Sequence, residues 1–246
     1  MKHIGWFGYG NLGDDEMERI LKERFSEISD EWYTLGGGTL IAPTSQYYQA
    51  MEFPERTFGI SLGVSSKWAG EWVEVLRSMK KIYTRDLFSH YKLLEYNVEN
   101  ILSVDLWCYR KPTARGNRRL MANIIKAPQS PHEYMNKISA DTYEYCKALG
   151  CDFFSMSNAE DTDMMTESKL FTDGQYLINQ LSGAKTVWSM RLHATVAAWV
   201  AGVKDIRALH YDPKIQHFFE RVVTLNPAEA KNIINIHLDE IEVLCK

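Results

Sequence analysis

Lys185-Thr186-Val187-Trp188-Ser189-Met190-Arg191-Leu192-His193-Ala194-Thr195-Val196-Ala197-Ala198-Trp199-Val200-Ala201 holds a strand, a turn and a helix in one short run. Residues 185–188 read as a buried strand. Leu192 and the run from Ala194 to Ala201 are apolar on all sides, the pattern of a helix buried within a fold, and Ser189 stands where it can act as N-cap. Arg191 and His193 occupy the first turn. A helix N-terminus offers free N–H groups and a partial positive charge, so a guanidinium and an imidazole added there make a site for a small, highly charged anion.

The same unit recurs in both directions from this stretch. Upstream, residues 3–7 read as a short apolar strand that ends in a glycine loop. A helix at 14–25 follows, with Met17, Ile20, Leu21 and Phe25 at helical spacing. Strands are expected at 32–35, 56–61, 81–84 and 100–104, and helices at 70–79 and 86–94. Residues 109–117, with Pro112 and Gly116, have no periodicity and read as a crossing between halves. Beyond it come strands at 120–125, 152–156 and 205–209, and helices at 133–149, 175–181, 213–219 and 228–244. Strands alternating with helices predict parallel sheets covered on both faces, hence an α/β fold of two Rossmann-like halves, 1–110 and 118–246. The glycine loops, Arg85, the Ser189 to His193 run and the Tyr211 to Lys214 run then fall at strand C-terminal ends, the edge where open α/β sheets bind ligands.

Composition narrows the function. With 246 residues and 45% hydrophobic content, the chain can bury one large core or two modest ones. A net charge of −4 with scattered lysines and arginines argues against nucleic acid as the main partner. Met1-Lys2 leads straight into an apolar strand, and no apolar run approaches the ~18 residues of a membrane span, so a cytoplasmic protein is expected. Cys108, Cys146, Cys151 and Cys245 lack C-x-x-C spacing, which suggests reduced, mostly buried thiols rather than a zinc knuckle or a redox pair. No metal is expected either, so turnover should survive chelation.

Gly8, Gly10 and Gly13 form G-x-G-x-x-G between a strand and a helix, superficially the dinucleotide fingerprint. Two features argue against a dinucleotide. Asp14, Asp15 and Glu16 would repel a pyrophosphate at the helix start, and the second strand ends in glycines where a ribose-binding acid should stand. The loop instead permits close backbone approach, with Asn11 and Asp14 able to present hydrogen-bond groups to sugar hydroxyls; a purely structural turn is the plainer alternative. Gly36-Gly37-Gly38 has no side chains, so its role is backbone shape. Arg85-Asp86 opens another helix after a strand and again favours an anion, and Asp105 lies near a further strand end.

Five elements together resemble the polysaccharide pyruvyl transferases: G-x-G-N-L-G-D (Gly8 to Asp14), L-G-G-G-T-L (Leu35 to Leu40), R-D-x-x-S (Arg85, Asp86, Ser89), S-x-R-L-H-A (Ser189 to Ala194) and Y-D-x-K-x-x-x-F (Tyr211, Asp212, Lys214, Phe218). Their order and rough spacing match that family from residue 8 to 218. The resemblance implies a ketal-forming transferase of exopolysaccharide or cell-surface glycan biosynthesis, with phosphoenolpyruvate as donor substrate and no cofactor. It implies two Rossmann-like domains facing across a cleft, as in GT-B glycosyltransferases. Donor contacts would come mainly from the C-terminal half, and contacts to a sugar or lipid-linked oligosaccharide acceptor from the N-terminal loops. His193 would serve as acid or base, Arg191 would grip a carboxylate or phosphate in two-pronged fashion, and Lys214 would meet phosphate as a point charge. Ser189, Tyr211, Arg85, Gly10, Asn11, Asp14, Gly37 and Gly38 complete the expected substrate contacts. A GT-B-type glycosyltransferase using a nucleotide sugar, or a non-catalytic binder of an anionic glycan or metabolite, are the alternatives.

Overall fold

The structure, a computed structural model, describes residues 1–38, 40–43, 47, 52–125, 133–157, 168–209 and 213–246, without the side chains of 133–135. Two compact units divide the chain. One comprises Met1–Tyr9, Asp14–Tyr109 and His217–Lys246; the other comprises Gly10–Gly13 and Arg110–Gln216.

The first unit holds five parallel strands in chain order, β1 (Lys2–Ile4), β2 (Tyr33–Gly36), β3 (Thr57–Leu62), β4 (Lys81–Thr84) and β5 (Ile101–Leu102). Every residue of β3 is buried, as befits a central strand of a parallel sheet with both faces covered. Helices α1 (Leu12–Arg24), α2 (Val73–Ser78) and α3 (Leu87–Glu95) lie between strands in sequence. On β4, Ile82 packs into a core with Leu76 of α2 and Leu93 of α3. Its neighbour Tyr83 must face the other way, because side chains alternate along a strand. There it meets α8 (Pro227–Leu244): the Tyr83 ring centroid is 4.7 Å from that of His237, and its hydroxyl donates to Glu240 Oε2 at 2.8 Å. Lys81 pairs with the same carboxylate. The sequence reading leaves residues 217–246 with the second half, but α8 belongs to the first unit, where it packs beside α1, whose Arg24 pairs with Asp239 and Glu242. Its start is well defined, since Asn226 and Glu229 form a capping box and Pro227 opens the helix.

The second unit has β6 (Leu120–Asn123), α4 (Glu133–Ala148), β7 (Asp152–Ser155), β8 (Lys169–Leu170), α5 (Gly174–Leu181), β9 (Thr186–Ser189), α6 (Leu192–Val200), β10 (Asp205–Ala208) and α7 (Lys214–Val222), the division between units falling inside α7. The strand order is β10-β9-β6-β7-β8, all parallel. The chain builds outward from β6 in one direction, then returns to its other side with β9. That reversal makes this sheet doubly wound, with its switch point between β6 and β9. The first sheet has no reversal. Among the described residues, no helix is long and apolar enough to cross a membrane.

Candidate functional site

At the switch point, the carboxyl ends of β6 and β9 stand side by side, Asn123 in register with Ser189. β9 leads into α6 through Met190 and Arg191. The N-cap position belongs to Arg191 (φ −96°, ψ 142°), with no side-chain capping bond, and Ser189 does not fill it as expected. Ser189 lies two residues earlier, fully buried, and its hydroxyl donates to the Arg191 carbonyl at 3.0 Å while lying 2.9 Å from Thr195 Oγ1. Thr195 also donates to the Arg191 carbonyl, through both its hydroxyl and its N–H at 3.0 Å. Three donors therefore converge on one carbonyl and fix the backbone from which the guanidinium springs. Arg191 and His193 are each only 9% exposed, so both are part of the folded framework. Asn123 is buried as well. Its Nδ2 donates to the Phe154 carbonyl at 3.1 Å, and its Oδ1 makes no hydrogen bond among the described residues.

The glycine loop Gly10–Gly13 belongs to this unit by its contacts. Leu12 N–H donates to the Met156 carbonyl at 2.8 Å, and Asn11 bridges to Ser157. Asn11 Oδ1 accepts from Gly13 N–H at 3.1 Å, in the manner of a helix N-cap. Gly10 takes φ 72°, a conformation open to glycine. Gly13 matters for space rather than for backbone angle. A Cβ there would stand 2.0 Å from His193 Nδ1, so the imidazole occupies space that any other residue would fill. Lys214 opens α7, after β10, which pairs with β9. Tyr211, with His210 and Asp212, lies outside the described residues.

The other expected contacts lie in the first unit. Gly37 and Gly38 have φ of 93° and 75°, and Cβ atoms on them would come within 3.6 and 3.1 Å of Asp14 Oδ1, so the triple-glycine turn lies over a buried carboxylate. Gly8 N–H donates to Asp15 Oδ1 at 2.7 Å; a carboxylate of the chain itself thus holds a loop amide that a dinucleotide phosphate would need. Arg85 follows β4 directly and is buried, its Nε 3.3 Å from Asp86 Oδ2. Asp86 caps α3, accepting from Ser89 N–H at 2.7 Å. Asp105 is buried beside them. Burial pushes its carboxyl up to about 6, opposed by the Arg85 charge and by a hydrogen bond from Trp107 N–H. Arg85 is therefore a member of a buried charge cluster, a setting that motif spacing does not reveal. Ser61, on the adjoining strand, holds a left-handed φ of 56° and accepts from Leu106 N–H at 2.9 Å, local strain that tertiary contacts maintain.

No family model and no curated protein matches the chain. Among solved structures it is similar to a functionally uncharacterized protein from Klebsiella pneumoniae subsp. pneumoniae. The two share 12% identity over 89% of this chain and 86% of that one, with a TM-score of 0.50. The likeness is one of fold.

Ser189, Arg191, His193, Asn11 and Gly13 are thus gathered in the second unit, and Asp14, Gly37 and Gly38 in the first, while Arg85 stands with Asp86 and Asp105. Thr195 and Asn123 were not expected at the site. Gly13 was visible as the third glycine of its motif, but only the fold shows that it faces a histidine. Nothing in a one-dimensional reading pairs Asn123 with Ser189, because that pairing exists only once the strand order reverses.

Proposed function

We propose that this chain is a polysaccharide pyruvyl transferase, which takes pyruvate from phosphoenolpyruvate and fixes it as a ketal across two hydroxyls of a sugar. The observation that carries this reading is the location of Arg191 and His193 on the opening turn of α6, at the carboxyl edge beside the switch point, with the Arg191 backbone fixed by Ser189 and Thr195. Ligands of doubly wound sheets bind at that edge. The five ordered sequence elements add the family resemblance.

Phosphoenolpyruvate carries a carboxylate and a phosphate on one carbon skeleton. A guanidinium matches either group with two parallel hydrogen bonds, and a lysine ammonium adds a point charge. Ketal formation protonates the enol carbon to a methyl group. One sugar hydroxyl then attacks the oxocarbenium-like centre, and a second displaces phosphate, each hydroxyl losing its proton. In this reading His193 moves protons, because an imidazole can act as acid or base near neutral pH. Arg191 and Lys214 hold the donor and stabilise the charge on departing phosphate. The acceptor, a sugar or lipid-linked oligosaccharide, would meet the glycine loops of the first unit across a GT-B-like cleft. The protein would work in the cytoplasm without a cofactor.

Thermal-shift measurements with phosphoenolpyruvate and with nucleotide sugars test the proposal first. Saturating donor at about 100 times its Kd stabilises by roughly 2.7 kcal/mol, a rise of several degrees in Tm for a chain of this size. A shift with phosphoenolpyruvate, followed by acceptor-dependent phosphate release, is expected. A shift with a nucleotide sugar and none with phosphoenolpyruvate would overturn the reading.

A further inference from the structure

At the C-terminal end of α4, two thiols that share no familiar sequence spacing are brought together. Cys146 is fully buried in a cluster with Phe153, Trp188 and Met190, and the half-buried Cys151 packs against the same cluster. The chain reverses between them. Cys151 N–H donates to the Cys146 carbonyl and Gly150 N–H to the Lys147 carbonyl, both at 3.0 Å, and Gly150 has φ 70°. These are the two bonds and the left-handed residue of a Schellman cap, a motif that folds the side chain after the turn back onto the last helical turn. Here the residues at both of those positions are cysteines, and Cys151 packs against the cluster that holds Cys146. The C-x-x-x-x-C spacing matches no common redox motif, so it is the cap that joins them.

We propose that Cys146 and Cys151 are a site of covalent modification, closing to a disulfide across the cap of α4 when the protein meets a small-molecule disulfide. The accessible Cys151 attacks first as thiolate, having lost its proton to solvent. Its sulfur bonds to one sulfur of the oxidant and releases the other half as a thiol. Cys146, deprotonated in turn, attacks Cys151 Sγ and expels the second half. Two protein thiols are oxidised to one disulfide and the oxidant is reduced to two thiols, so electrons and protons balance. Gly150 makes the arrangement possible, since its left-handed turn folds residue 151 back onto the last turn of α4.

Incubation of the folded protein with oxidised glutathione, quenching of remaining thiols by alkylation, and mass spectrometry test this. Lys147 lies between the cysteines, so trypsin separates peptides 138–147 and 148–169 unless a bond joins them. The expected result is an intact mass lowered by two hydrogens at this pair and a joined peptide that reduction splits. Cys146→Ser should convert Cys151 into a persistent glutathione adduct, and Cys151→Ser should leave Cys146 a free thiol. A lasting glutathione adduct on Cys151 of the unaltered protein, thiols that stay unmodified, or a link that forms only in denaturant would each overturn the proposal. The readout is mass, so it stands or falls independently of phosphoenolpyruvate turnover.

Discussion

Missing side chains set the position of two buried cationic or protonatable groups. Gly13 leaves room for the His193 ring, and Gly63 leaves room for the Arg85 guanidinium, whose nearest nitrogen would lie 2.5 Å from an added Cβ. Gly13→Ala should therefore act as a histidine variant in disguise. Under the proposed mechanism it should lower kcat by about 10² to 10⁴, as His193→Ala does, whereas Arg191→Ala should chiefly raise KM for phosphoenolpyruvate and Arg191→Lys should restore it only in part. Steady-state kinetics on variants whose circular dichroism is unchanged decide this; a well-folded Gly13→Ala protein with parental kcat would show that catalysis does not depend on where the ring sits. Asp105 makes a separate prediction. Its carboxyl titrates higher in the folded chain, at about 6, than the ordinary 3.8. Folding therefore takes up a proton between those values, and stability falls as pH rises through that window, by at most about 3 kcal/mol. Asp105→Asn removes the titration, so its Tm relative to the parent should be higher at about pH 7 than at about pH 4. An equal difference at both pH values would show that Asp105 does not titrate in that window.

Among elements, α8 docks through buried Ala230, Ile234, Leu238 and Ile241 and through polar contacts that can be removed singly. Tyr83→Phe deletes the hydroxyl that donates to Glu240 but keeps the ring against His237. A hydrogen bond to a charged group is worth roughly 1.5 to 3 kcal/mol, and chemical denaturation should show a loss of that order. A variant as stable as its parent would mean that water replaces the hydroxyl without cost. Periodicity made most elements legible: 81–84 was read with the bounds that β4 has, and the helices at 133–149 and 228–244 lie within a residue or so of α4 and α8. What escaped was short or depended on partners. β8 is two exposed residues whose strand character comes from pairing with β7 alone. Residue type points to Ser189 as the N-cap, but the helix starts at Leu192 with Arg191 in the cap position, and the Ser189 hydroxyl donates to the Arg191 carbonyl instead. Arg191 and His193 were legible because motif and helix pattern coincide there; Asn123 and the Arg85 cluster depend on strand order and burial.

On the scale of the whole molecule, the two sheets follow different plans, one in chain order and one reversed about β6 and β9. Each unit therefore depends on different parts of the chain. Removing residues 227–246 strips α8 from the first unit, so hydrogen exchange in 1–109 should accelerate more than in 110–209. Equal acceleration in both ranges would contradict the division into two units. The discontinuity also bears on synthesis. A ribosome delivers β1 to β5 early, yet every strand of the second sheet is delivered before α8, the helix against the Tyr83 side of β4, begins. Domains tend to fold as their segments emerge. Here the half begun first is the half finished later, and the nascent chain must carry the Tyr83 side of β4 without its helix until α8 is made.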